Sequence, residues 1–256
     1  MLYIGKVMNR ADFHKFFNSP GPVVLPVIHV LNSEQAARNI KFIIREGAPG
    51  CFLINHDFDL EEFLPIVQKM RATFQRLWMG VNFLAVTGEK AFPILADLAK
   101  GGYNIDAYWA DDACIDENGV NEQAKKIAKV QESSRWNGLY FGGTAFKKQR
   151  QIIDERVGDA AREACKFMDV ITTSGVATGH AAELKKIAMF RAAIGDRPLA
   201  IASGITPENA VSFSEVDCFM VATGINKKNN FYELDRSRLA RMMKVTRELG
   251  KGDNFG

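Results

Sequence analysis

The chain has 256 residues, with 33 Lys and Arg against 30 Asp and Glu, so its formal charge is +3; 47% of the residues are hydrophobic and 25% are charged. These values exclude collagen-like, low-complexity and disordered chains, and the length accommodates one large α/β domain or two modest ones. The basic residues are scattered, which argues against nucleic-acid binding and leaves Lys147-Lys148-Gln149-Arg150 as the one local excess, read as a solvated helix entry rather than a polyanion site.

Cys51, Cys114, Cys165 and Cys218 lie more than fifty residues apart without a C-x-x-C pair. That usage is expected of a reduced chain held together by its core. No signal-peptide core precedes the first elements, and no apolar run approaches the ~20 residues of a membrane span, so a cytoplasmic protein without a membrane span is expected.

In chain order, a short helix over Ala11–Phe17 is followed by a break at Ser19-Pro20-Gly21-Pro22. Strands are then predicted at Val23–His29, Cys51–Asn55, Trp78–Phe83, Ile105–Trp109, Gly138–Phe141, Asp169–Thr172, Leu199–Ala202 and Cys218–Ala222. Helical periodicity fills the intervals at Ser33–Glu46, Leu60–Phe74, Glu89–Lys100, Asn121–Ser134, Arg156–Phe167, Ala181–Ile194, Pro207–Phe213 and Asp235–Leu249. Ser33 is placed as the cap of the first of these, Gly47 and Gly195 as helix ends, and Thr206-Pro207 as a helix start.

Eight strand and helix pairs in 256 residues average 256/8 = 32 residues each, the economy of an α/β fold of the (β/α)8 TIM-barrel class. A single domain over 1–256 is expected, with 1–22 as an N-terminal extension whose helix crosses the barrel bottom and 250–256 as a flexible tail. Pro26 sits inside the first strand without an N–H to donate, which predicts a bulge or a shorter strand. An open doubly wound sheet is disfavoured, because neither G-x-G-x-x-G nor G-x-x-x-x-G-K-[ST] occurs.

Sites in such barrels lie at the carboxyl ends of the strands. The last three strands run into Thr173-Ser-Gly-Val-Ala-Thr-Gly179, Ala202-Ser-Gly-Ile-Thr-Pro-Glu-Asn209 and Ala222-Thr-Gly-Ile225. Glycines admit an anion close to the backbone, hydroxyls add donors and a following helix adds partial positive charge, so Ser203, Gly204, Thr223 and Gly224, with Ser174, Thr178 and Gly179, are candidate phosphate ligands. Any one such loop alone reads as a plain strand-to-helix turn.

Among the other strand ends, His29 and Asp111 are candidates for acid/base work, with a buried structural histidine the equal alternative for His29. Asn55 and Asn82 either orient a substrate hydroxyl or brace the rim. Asp57, Asp111 and Asp112 can hold Mg²⁺ with a phosphorylated ligand, although Asp59 and Asp112 read better as helix caps. Lys147 or Lys148 contacts phosphate or is solvated rather than forming a Schiff base. No metal site is expected from the spacing of His and Cys, and no nucleophile elbow occurs.

The segments Thr173–Gly179, Gly195-Asp-Arg-Pro-Leu199, Ala202–Asn209 and Val221–Ile225 resemble the C-terminal half of the BtpA/SgcQ family, and Val27-Ile-His29, Ile54-Asn55 with Asp57, and Gly80-Val-Asn82 look like its first three strands. The likeness spans most of residues 23–248 and is strongest from about 170 onward. It implies a barrel of the ribulose-phosphate-binding kind, and Ser203–Asn209 also looks like the matching loop of phosphoribosylanthranilate isomerase. The chain departs from the family in having Gly142-Gly-Thr-Ala-Phe-Lys-Lys148 where members carry a Lys-His pair with an acid, and Ile54 where they begin with Glu. The resemblance implies a fold and an anion site for a small phosphorylated ligand, with isomerase, aldolase or lyase chemistry. The alternatives are a non-catalytic assembly factor like the family's photosystem I namesake and, more weakly, phosphoribosyl transfer. A homo-oligomer through apolar helix residues such as Phe74 or Phe190 is a further expectation.

Overall fold

The computed structural model describes residues 7–147, 149–177 and 179–252. Eight parallel strands close in chain order into a barrel, β1 (Val23–Val30), β2 (Gly50–Asn55), β3 (Trp78–Asn82), β4 (Ala107–Ala110), β5 (Leu139–Gly143), β6 (Val170–Thr173), β7 (Leu199–Ile201) and β8 (Cys218–Val221). The chain is therefore a single-domain (β/α)8 TIM barrel. The helices are α1 (Arg10–Phe16), α2 (Ser33–Glu46), α3 (Leu60–Thr73), α4 (Gly88–Lys100), α5 (Glu122–Ser134), α6 (Asp154–Ala164), α7 (Leu184–Ile194) and α8 (Arg236–Gly252).

Closure depends on β1, whose lower half pairs with β8 (Val23↔Cys218 to Pro26↔Val221) and whose upper half pairs with β2 (Val27↔Phe52 to Val30↔Asn55). Pro26 lies where the strand hands over from one neighbour to the other. The missing N–H falls at that junction, and β1 runs unbroken through Val30 without the predicted shortening.

Side chains alternate across the sheet and sort into two cores. Val23, Leu25, Val27, Phe52, Trp109, Phe141 and Met220 fill the barrel, while Ile28, Leu53, Val81, Tyr108, Ile171 and Phe219 pack outward on the helices. Phe190 is fully buried in the outer core and Phe74 packs against it, so neither is a free apolar face.

The predicted bottom helix is α1, one residue earlier than expected. Phe13 packs edge-on to Phe141 of the interior, and Phe17 to Trp78. Its anchor is Asp217, just below β8, whose fully buried carboxylate receives Arg10 Nε at 2.7 Å, His14 Nε2 at 3.0 Å, Arg191 Nη2 at 2.6 Å and the Leu199 N–H at 2.8 Å.

Several boundaries differ from expectation. Asn32, not Ser33, caps α2 by accepting from the Gln35 N–H, while Asp59 caps α3 as expected. Gly47 ends α2 with φ +76°. The seventh helix is replaced by a single 3-10 turn, Ala210–Phe213, because the Asn209 side chain accepts from the Thr206 N–H and donates to the Gly204 carbonyl, drawing the segment into a turn. Lys147, Gln149 and Arg150 are in loop rather than at a helix entry, with α6 starting at Asp154. The last helix continues to Gly252, through part of the segment expected to be a flexible tail. Among the described residues, no helix is long and apolar enough to cross a membrane.

Asp217→Asn leaves the guanidinium of Arg191 buried against a neutral partner and is expected to cost about 3 kcal/mol in urea unfolding. Arg10→Gln, at the exposed edge of the same cluster, should cost under about 1 kcal/mol. Equal losses in the two variants would show that the carboxylate is not the anchor.

Candidate functional site at the carboxyl rim

The loops after β7 and β8 meet the loop after β6 and Lys147 around a cleft of about 380 Å³, part of it open to solvent. His29, Lys147, Gly179, Ser203, Gly204, Thr223 and Gly224 line it, over a floor that includes Val27, Trp109 and Met220. Thr178 and Lys148 lie outside the described residues.

Backbone packing builds this rim. Gly204 has φ +67°, and a Cβ there would meet the Ala181 nitrogen at 1.9 Å; one on Gly224 would meet the Ile205 carbonyl oxygen at 1.8 Å. These glycines let three loops stack backbone on backbone. The hydroxyl of Ser203 is part of the same construction, accepting from the Gly175 N–H at 3.0 Å and donating to the His180 carbonyl at 2.8 Å. Ser174 is fully buried beside the cleft, and its Oγ accepts from the Lys147 N–H at 2.8 Å. Both serines therefore hold loops in place.

The backbone of the same loops also lines the cleft. Among the described residues, the N–H groups of Gly204, Ile205, Thr223 and Gly224 donate to no protein acceptor. Three cations lie in or behind the rim loops. Lys147 is in the cleft wall, Arg238 of α8 donates from Nε to the Gly224 carbonyl at 3.0 Å, and Lys186 of α7 donates to the Ala145 and Ser174 carbonyls at 2.5 and 2.8 Å. Burial lowers the Lys186 ammonium to about 8. The expected helix N-terminus does not follow β7, where only the 3-10 turn occurs, and α8 starts twelve residues beyond Gly224 (236 − 224 = 12).

His29 projects inward from β1 and is buried. Its ring stacks on Phe231 at a centroid distance of 3.7 Å and an interplanar angle of 7°, with His56 edge-on at 4.9 Å. Nδ1 is 3.1 Å from the Phe231 carbonyl oxygen, which only accepts, so Nδ1 carries the proton and Nε2 keeps its lone pair. Burial, then His56 and Lys147, lower the pKa to about 4 despite the carbonyl and Asp57, leaving a neutral imidazole at neutral pH.

The strap carrying Phe231 is tightly fastened. Gln35 Nε2 and Asn39 Nδ2 both donate to the Tyr232 carbonyl at 2.6 Å, and the Tyr232 hydroxyl donates to Asp57 Oδ2 at 2.7 Å.

The remaining candidates lie away from the cleft lining. Asn55 braces two loops, donating to the Phe58 carbonyl at 2.8 Å and accepting from the Leu84 N–H at 3.1 Å. Asn82 and Asp111 form a buried pair at the tops of β3 and β4, with Nδ2 to Oδ1 at 3.0 Å. Asp112 caps its own turn through the Cys114 N–H. Among the described residues, no group of three or more His, Cys, Asp or Glu is placed to hold a metal ion.

Compared with protein-family profiles the chain matches none, and no curated protein matches it in sequence. Solved structures match closely in shape. One is described as the native KDPGal structure, with a TM-score of 0.62 and 9% identity over 89% of this chain and 96% of that one. The tryptophan synthase α subunit of Legionella pneumophila str. Paris has a TM-score of 0.62 and 15% identity over 94% and 99%. The phosphoribosyl anthranilate isomerase of Thermus thermophilus has 0.58 and 12% over 89% and 99%. At these identities the likeness establishes the (β/α)8 barrel fold and leaves the chemistry to the residues.

The neutral state of His29 has a measurable signature. Its folded pKa of about 4 lies below the ordinary 6.5, so the unfolded chain takes up the proton first as pH falls. Its contribution is complete above about pH 6.5 and is lost towards pH 4, a loss of about 3 kcal/mol by linkage. His29→Gln should flatten that part of the curve in chemical denaturation, and an unchanged slope would contradict the assignment.

Proposed function

We propose that this barrel is an enzyme that binds a phosphorylated small molecule at the rim of β7 and β8 and carries out isomerase, aldolase or lyase chemistry beside it. The observation that carries the reading is the convergence, in one cleft, of four uncommitted N–H groups with the Lys147 ammonium. Backbone donors and a lysine point charge are a common means of holding a phosphate dianion. Kinship with the BtpA/SgcQ family, and a ligand of the sugar-phosphate or phosphoribosyl type, belong to the same proposal.

His29 stands in the wall of that cleft with Nε2 as its basic atom, the proton on Nδ1 being held by the Phe231 carbonyl. A neutral imidazole with its lone pair on Nε2 can accept a hydrogen bond or a proton from a neighbouring oxygen, directly or through a bound water, rather than store positive charge. In this proposal the phosphate fixes the ligand, and His29 acts at an atom a few bonds away. Mg²⁺ would enter, if at all, with the ligand's own oxygens.

Inorganic phosphate should raise the melting temperature of the protein in a saturable manner. Lys147→Ala should weaken its binding by tenfold or more, at about 1.5 kcal/mol or above for a charge-assisted hydrogen bond. No stabilisation of the wild type, or equal affinity in the variant by calorimetry, would overturn the reading.

A further inference from the structure

On the far side of the barrel mouth from the β7 and β8 loops, two polar groups are buried without the hydrogen-bond partners that burial demands. Asn82 is 1% exposed and Trp109 is 4% exposed, and neither Asn82 Oδ1 nor Trp109 Nε1 has a hydrogen-bond partner. Asn82 donates its amide hydrogen to Asp111, itself 8% exposed, so its oxygen is the atom left over. The register that pairs Gly80 with Ala107 and Val81 with Tyr108 continues to bring Asn82 beside Trp109, and Trp109 and Asp111 share the inward side of β4. A buried acceptor or donor left unmade costs about 1–3 kcal/mol, so leaving two of them adjacent needs a reason.

The Phe146 ring packs against Trp109. Although it belongs to the loop after β5, it is 3% exposed, counts with the barrel interior and lies edge-on to Trp109 at 6.1 Å. It is fastened through Gln149, whose Oε1 accepts from the Phe146 N–H at 3.0 Å and whose Nε2 donates to the Asp111 and Gly143 carbonyls at 3.2 and 2.9 Å. Trp109 also lines the cleft at β7 and β8, so its indole borders both that cleft and the Phe146 ring.

We infer that Asn82, Asp111 and Trp109 form a second subsite, occluded by Phe146, that takes the hydroxyl-bearing part of a ligand whose phosphate sits at β7 and β8. The inference rests on the proposed anion site for the ligand's other end. A hydroxyl is the group that fits, since it donates to Asn82 Oδ1 or the Asp111 carboxylate and accepts from the Trp109 N–H. Vicinal hydroxyls satisfy both orphans at once, whereas an apolar tail satisfies neither. The Phe146 ring has to swing aside for entry and can then close on the bound chain.

The test uses the full protein with inorganic phosphate, ribose 5-phosphate and unphosphorylated ribose as probes, read by calorimetry and by the ¹⁵N-labelled indole signal of Trp109, assigned by its loss in Trp109→Phe. Ribose 5-phosphate should bind at least about tenfold more tightly than inorganic phosphate and should shift the Trp109 indole signal further than inorganic phosphate does. Phe146→Ala should speed ribose 5-phosphate association, and Asn82→Leu should bring its affinity down to that of inorganic phosphate. Equal affinities in the wild type, an unmoved indole signal, or a full ribose 5-phosphate advantage retained in Asn82→Leu would each overturn the subsite. Failure of inorganic phosphate to bind, with ribose alone still moving the indole signal, would overturn the anion site and leave this subsite standing.

Discussion

The double pairing of β1, with β8 along Val23–Pro26 and with β2 along Val27–Val30, is the constraint on which the rest of the molecule depends. Closing the sheet removes both edges and forces every connection to one of two rims. It also fixes the inward and outward sense of every strand residue. His29, Trp109 and Asp111 share a mouth because they occupy the inward parity of their strands, and Asn55 is turned away from it because it does not.

That parity explains where the sequence was informative. Eight apolar runs at nearly even spacing are readable because a buried parallel strand is apolar on both sides, and the Ser-Gly and Thr-Gly turns after β6, β7 and β8 mark their ends. The convergence of Ser203, Gly204, Thr223 and Gly224 with Lys147 follows from barrel topology. What those residues do individually is less legible. Ser203 and Ser174 look like ligands in the sequence and are loop ties in the fold, because a hydroxyl's partner is decided by backbone that arrives from another strand. Asn209 undid a helix through two hydrogen bonds that no propensity scale contains.

The contributors with no signature in the sequence share a different property: they act over long separations. Phe231 reaches His29 across 202 positions, Gln149 returns to the Asp111 carbonyl across 38, and Lys186 reaches Ala145 across 41. Lys186 and Arg238 lie on helices and satisfy carbonyls behind the rim. The electrostatics of the cleft are thus carried by oriented backbone dipoles backed by cations, which is why a formal charge of only +3 is compatible with an anion site.

The anchor at Asp217 also dictates an order of events. Arg10 and His14 reach that carboxylate from 207 and 203 residues away, and β1 needs β8 for half of its ladder. On a ribosome, the first helix and first strand therefore emerge with their final partners still unmade, and non-local pairing of this kind is slow to form. The amphipathic α1 must be kept from other apolar surfaces during that interval. The bottom plug is thus synthesised well before the partners that seat it.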